Sequence, residues 1–181
     1  MSVHRAIRAL RSLLVPAVLV LSASACVTTL NTFPPLGSTP KPAGEGSAAV
    51  VTQVVGALDA RGLQAAESIR PYRPVEGPLV AAAPRTIVQV TLPEDPDHGF
   101  IVIYALPSPD AAQDAAEDQA GYVAAGIGGG ILNPPGTEYA LQVVGSSVVF
   151  FSWLPATSPD PRTKEIAEVL ATLGVAVPIA G

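Results

Sequence analysis

Apolar residues recur along this chain in two rhythms, one typical of helices and the other of β-strands. Steps of three and four residues place Val51, Val54 and Leu58 on one side of a predicted helix at 47–61. A second helix is predicted at 108–124, where the inner side is alanine, and a third at 160–173. Short alternating or almost wholly apolar segments predict strands at 63–69, 86–92, 100–106, 139–144 and 148–154.

Capping and breaking residues mark the ends of these elements. Ser108 and Asp160 each precede a proline, as expected at the start of a helix. Gly62 and Gly174 follow the first and third helices, where glycine favours a left-handed end. Four prolines within 70–84 predict an irregular segment there.

The order of elements indicates an α+β fold. Two hairpins, formed by 86–106 and 139–154, alternate with the three helices, and hairpins make antiparallel pairs. We therefore expect an antiparallel sheet of four or five strands with about three helices packed on one face, in a single domain at 47–181.

The first 25 residues have the three parts of a secretory signal peptide. Three arginines lead, an apolar run at 13–21 follows, and small residues at 23–25 precede Cys26. A membrane-spanning helix needs about 20 apolar residues. This run is roughly half that length, so we expect residues 1–25 to be removed during export.

The segment Leu21-Ser22-Ala23-Ser24-Ala25-Cys26 resembles the lipobox of bacterial lipoproteins. The resemblance implies that the Cys26 thiol receives a diacylglyceryl group, that the chain is cut before it, and that the new amino terminus is acylated, with palmitate as a typical chain. It also places the protein at the cell membrane or outer envelope. The alternative is ordinary cleavage after Ala25, which leaves Cys26 as a free thiol. A Pro-, Gly-, Ser- and Thr-rich tether at 26–46 would then hold the domain up to ~60 Å from the lipid.

Charge excludes some partners. Loss of the signal arginines leaves seven basic against fifteen acidic residues, a net charge of −8, and the basic residues form no run. Nucleic-acid binding requires a basic stripe, so no nucleic-acid partner is expected. Cys26 is the only cysteine, so the fold has no intramolecular disulfide.

Motifs for catalysis or cofactors are weak. His98 follows Glu94, Asp95 and Asp97, which together offer metal-ligand types, but Asp, Pro and Gly are also what turns use. We interpret the segment as a solvated turn and predict no metal site. The glycine-rich segment 126–136 follows a helix instead of opening one, unlike phosphate-binding loops, so no cofactor is predicted.

Two groups of residues are candidates for a ligand or partner surface. Arg70, Tyr72 and Arg73 place two guanidinium groups around an aromatic ring on a proline-stiffened segment. Phe151 and Trp153 share one side of the last predicted strand, and a sheet covered on one face only would leave them exposed. The alternatives are arginines paired with surface acids and aromatic rings packed in the core.

These patterns predict a lipid-anchored, non-enzymatic module that binds a protein partner or assists envelope assembly outside the membrane. One alternative is a carrier of a small ligand or lipid in a helix–sheet pocket beside Tyr122 and Tyr139, gated by the glycine-rich segment. A hydrolase is less favoured, because Gly145-Ser146-Ser147 lacks the strained elbow of a serine nucleophile.

Overall fold

The computed structural model describes residues 45–126 and 134–179. The signal peptide, Cys26 and nearly all of the tether lie outside these residues, as does most of the glycine-rich segment. The elements in chain order are α1 (Glu45–Asp59), β1 (Ala65–Glu67), α2 (Pro78–Ala82), β2 (Arg85–Val90), β3 (Phe100–Ala105), α3 (Pro109–Ala124), β4 (Glu138–Val144), β5 (Ser147–Trp153), α4 (Arg162–Leu170) and β6 (Val175–Ala176). In the described part of the chain, no helix has the length and apolarity needed to cross a membrane.

The strands form one antiparallel sheet in the order β1-β2-β3-β5-β4-β6. The β2–β3 and β4–β5 hairpins meet at its centre, where Ile101 of β3 lies opposite Phe151 of β5. The α+β class and the antiparallel sheet are therefore confirmed. The sheet has six strands, one more than the upper expectation, because Val175–Ala176 pairs with β4 after the turn at Gly174.

The expectation of an irregular segment at 70–84 is wrong for Pro78–Ala82, which forms α2. Pro78 occupies the first turn of this helix, where the missing N–H of proline has no intrahelical partner to lose. The short helix places Val80 in the core with no exposed surface.

Helices cover both faces of the sheet, which corrects the expectation of helices on one face. The α1 face, covered by α1 and α4, buries Val88, Ile101, Ile103, Val149 and Phe151 against helix residues such as Leu58 and Ile166. The α3 face, covered by α2 and α3, buries Val102, Tyr104, Leu141, Val148 and Phe150 against the alanines of α3. Strands β3 and β5 are apolar at both alternating positions because each contacts a core on both sides.

Candidate functional site

A small pocket lies at one end of the sheet, where β3 begins and β5 ends. We call it the His98 pocket. Its volume is about 200 Å³. Its lining residues are His98, Gly99, Pro134, Thr137, Ser152, Trp153, Leu154, Thr157, Ser158 and Thr163. Five of these ten carry a hydroxyl group, and none is a lysine, arginine, aspartate or glutamate.

His98 is oriented by a buried carboxylate. Its Nδ1 shares a hydrogen bond with Oδ1 of Asp95, whose side chain is only 10% exposed, while the imidazole itself is 57% exposed. Gly99 follows with φ +81°, and a Cβ there would lie 2.7 Å from the carbonyl oxygen of Val90. The hairpin therefore needs glycine after His98. Asp95 holds Nδ1 of the imidazole, and the outer edge of the ring is open to solvent.

The loop that carries His98 is held from two sides. On one side Arg70 Nη2 lies 3.0 Å from Oδ1 of Asp97, and Gln89 Nε2 donates to the Pro96 carbonyl at 3.2 Å. On the other side the Glu94 amide donates to Oδ2 of Asp160 at 3.1 Å. The loop is thus an anchored part of the pocket rim.

Asp160 links this loop to the start of α4. Its carboxylate is fully buried and also accepts from the backbone amide of Arg162 at 3.0 Å and from Nη1 of Arg162 at 3.2 Å. Burial alone raises the pKa of Asp160. The amides of Arg162 and Glu94, together with the Arg162 charge, outweigh that effect and hold the pKa below its ordinary value. Asp160 is therefore ionised at neutral pH and fixes the loop through charged hydrogen bonds.

Thr163 and Trp153 form the inner part of the pocket. Thr163 is 3% exposed, and its Oγ1 has no hydrogen-bond partner among the described residues. This atom has almost no solvent-accessible surface, so Thr163 lines the pocket with its other atoms. Trp153 is half-buried and stacks on Phe151, with ring centroids 5.2 Å apart.

The structure brings three of the five predicted surface residues to this end of the sheet. Tyr72 stacks on Phe100 at 4.7 Å, and its hydroxyl lies 3.4 Å from Oγ of Ser152 in the pocket wall. Burial raises the pKa of Tyr72 more than this hydrogen bond lowers it, so the hydroxyl is neutral. Arg70 lies over the same Phe100 ring, 5.4 Å from its centroid, and Trp153 lines the pocket.

The other two predicted residues lie elsewhere. Phe151 is 1% exposed in the core of the α1 face, so it offers no surface to a partner. Arg73 turns towards Glu76 on the α3 face, with Nε 2.6 Å from Oε2. Both arginines of the predicted pair thus have carboxylate partners, and no sheet face is bare.

Glu76 is the centre of a buried polar cluster. Its side chain is 3% exposed and accepts from Arg73, from Nη1 of Arg85 at 2.7 Å and from the Tyr104 hydroxyl at 2.9 Å. Burial, followed by the nearby Glu76 charge, raises the pKa of Tyr104 well above its ordinary value. The cluster fixes the irregular segment before α2 to the sheet, and its donors and acceptor satisfy one another.

Tyr122 and Tyr139, which the carrier alternative singles out, both pack against the core of the α3 face. Tyr139 also lines a groove of about 270 Å³ at the outer edge of β4, with Ala167 and Ile179 among its other walls. The segment proposed to gate this site lies mostly outside the described residues. The carrier alternative stays a prediction.

The sequence predicts that His98 lies in a solvated turn and assigns it to no site. The five hydroxyl residues of the pocket come from three separate stretches of the chain, and serine and threonine are common in loops, so no local pattern groups them. Trp153, the only tryptophan of the chain, lies beside His98 in the pocket, and this proximity follows only from the pairing of β3 with β5. Within the described residues, no cluster of acidic, histidine or cysteine side chains has the arrangement of a metal site.

Comparison with known proteins gives no match among family models, curated proteins or solved structures. The geometry of the His98 pocket is therefore the basis for inferring function.

Proposed function

We propose that this protein is exported, anchored to a membrane by lipid on Cys26, and acts as a non-enzymatic module that binds an envelope component at the His98 pocket. The observation that carries the binding site is a concave pocket whose wall combines five hydroxyl side chains with His98 and Trp153. Few polar groups converging in a concave site are typical of ligand recognition. Arg70 and Tyr72 extend this site at its rim.

Binding is favoured over hydrolysis by the contacts of His98. In the described part of the chain, the imidazole is hydrogen-bonded to Asp95 and to no serine or threonine hydroxyl. A serine nucleophile needs such a bond to a base. The His98–Asp95 pair therefore fits a fixed hydrogen-bonding group for a ligand better than a general base.

The anchor is tested by metabolic labelling in a bacterial host with a clickable palmitate analogue. We expect the wild-type chain to incorporate label and Cys26→Ser to incorporate none, since only a thiol accepts the diacylglyceryl group. Ser24→Ala keeps a small residue before the cleavage site and serves as the matched control, which should stay labelled. An unlabelled wild-type protein, with Cys26 as a free thiol in its intact mass, would remove the anchor from the proposal.

The binding site is tested by placing a photoreactive amino acid at Thr157, an exposed residue of the pocket wall. Irradiation of cells should give a discrete adduct with an envelope molecule. The same amino acid at Thr52, which is exposed on α1 and is not a lining residue of the pocket, should not give this adduct. Identical adducts from both positions, or none from Thr157, would count against the His98 pocket as the binding site.

A further inference from the structure

We infer that the His98 pocket binds one neutral sugar ring. This inference rests on the proposed function, since it names the ligand class of the same pocket. Four features of the pocket support this ligand: its volume, its hydroxyl-rich wall, the position of Trp153, and described lining residues that include no Lys, Arg, Asp or Glu.

Size limits the part of a ligand inside the pocket to a single small ring. Pockets for drug-sized ligands are commonly about 300–1,000 Å³, and the His98 pocket has about 200 Å³. A long acyl chain or a folded peptide segment exceeds this space. A monosaccharide unit, free or at the end of a glycan, is of suitable size.

The hydrogen-bonding groups match a sugar. A serine or threonine hydroxyl can donate one hydrogen bond and accept others, as can each hydroxyl of a sugar ring. Thr137 and Thr157 already donate their hydroxyl protons to the Pro134 and Leu154 carbonyls, so towards a sugar these two side chains act as acceptors. The outer edge of His98 adds a polar group whose orientation is set by Asp95.

Charge argues against an ionic ligand. None of the ten described lining residues is an arginine, lysine, aspartate or glutamate. The nearest guanidinium groups are already paired, Arg70 with Asp97 and Arg162 with Asp160. A phosphate, carboxylate or ammonium group in the pocket would therefore lose water without gaining a free opposite charge.

Trp153 supplies the apolar part of the site. An indole combines a flat apolar surface with an N–H donor, which suits a ligand whose ring carbons are apolar on one side and whose rim is polar. Trp153 lines the pocket and is held in place by stacking on Phe151, so its ring is ordered before a ligand arrives.

The test uses the mature lipoprotein in detergent micelles and observes Trp153, the only tryptophan of the chain, by its indole N–H signal and its fluorescence. The probes are glucose, galactose, mannose, arabinose and N-acetylglucosamine, with glucuronate and glucosamine as charged counterparts. We expect at least one neutral sugar to shift the indole signal in a saturable manner, and the charged counterparts to bind more weakly.

Two variants separate binding from folding. Thr137→Val removes a pocket hydroxyl that donates to the Pro134 carbonyl at 2.7 Å, and it should weaken sugar binding about tenfold. Thr172→Val is the matched control, since its hydroxyl donates to the Val169 carbonyl outside the pocket, and it should leave sugar binding unchanged.

Three outcomes would overturn the inference: no neutral sugar binds, a charged counterpart binds more tightly than its neutral sugar, or Thr137→Val binds as well as wild type. If the photoreactive residue at Thr157 still gives its specific adduct in cells, such a result excludes a neutral sugar as the ligand but keeps the pocket as a binding site. If that adduct is also missing, the proposed function fails with it.

Discussion

Phe150 and Phe151 are neighbours on β5, equally buried, and yet they belong to two differently built halves of the molecule. Phe151 lies on the α1 face among long aliphatic side chains of α1 and α4. Phe150 lies on the α3 face, opposite a helix whose buried residues are mostly alanine. One face is filled by interlocking side chains, and the other by the close approach of a helix backbone.

The two faces also differ in buried polar contacts. On the α3 face, Gln119 is fully buried, donates to the Val75 carbonyl at 2.8 Å and accepts from the Gly77 amide at 2.7 Å. Glu76 lies between these two residues in the chain and holds its own cluster. The segment before α2 has few apolar groups to bury, so polar pairing replaces apolar volume there. We therefore expect the free energy of unfolding to respond differently to the same mutation on the two faces.

The largest effect is expected from truncating the two phenylalanines. Phe150→Ala should lower the free energy of unfolding by about 4–5 kcal/mol and Phe151→Ala by about 3 kcal/mol, measured by urea denaturation. Long side chains around Phe151 can move into the cavity, whereas alanines of α3 have no further atoms to move. Leu79→Ala, at a residue that is 49% exposed, is the control and should cost much less. An equal or larger loss at Phe151 would contradict this difference between the faces.

A smaller loss is expected when the polar cluster of the α3 face is broken. Glu76→Gln should lower the free energy of unfolding by about 3 kcal/mol, because it removes the charge that compensates Arg85, whose side chain is 23% exposed. Glu67→Gln, on the exposed edge strand β1, is the matched control and should be close to neutral. Adding Arg85→Met to Glu76→Gln should recover part of the loss. If Glu76→Gln leaves the free energy of unfolding unchanged, the cluster does not stabilise this face.

The sequence predicted the hairpins closely, because their signals are local. The segments 86–92, 100–106, 139–144 and 148–154 differ from the observed strands by no more than two residues at any end. Ser108 caps α3 as expected, accepting from the Ala111 amide at 3.1 Å. Asp160 accepts from the Arg162 amide as a cap would, although α4 begins one residue after Pro161.

The placement of helices on the sheet could not be predicted in the same way. An apolar stripe shows which side of a helix is buried, but it does not show which face of the sheet the helix crosses to. The all-apolar strands β3 and β5 were the available signal, since a strand with one solvent-exposed face should alternate. The His98 pocket was harder still, because its walls are contributed by residues distant in sequence that meet only once the sheet order β3-β5-β4 is fixed.

The smallest effect is expected at Asp160, the polar contact that joins α4 of the α1 face to the His98 loop. Asp160→Asn should lower the free energy of unfolding by about 2 kcal/mol at neutral pH, since its single carbonyl oxygen can keep only one of the bonds to the Glu94 and Arg162 amides. Its pKa in the folded state is below its ordinary value of 3.8, so the stabilisation by its charge is fully present above that value. The stabilisation is lost as the pH falls below 3.8 towards the folded-state pKa.

The variant has no charge to lose at this position, so the stability difference from wild type should be constant from about pH 7 to about pH 5 and shrink towards about pH 3. Urea denaturation at each pH measures this difference, with Asp59→Asn on the exposed end of α1 as the control. A difference that persists unchanged to the lowest pH would mean that Asp160 acts by shape alone. The α1 face would then be stabilised by apolar packing even where α4 contacts the His98 loop. Charged contacts would stabilise only the α3 face.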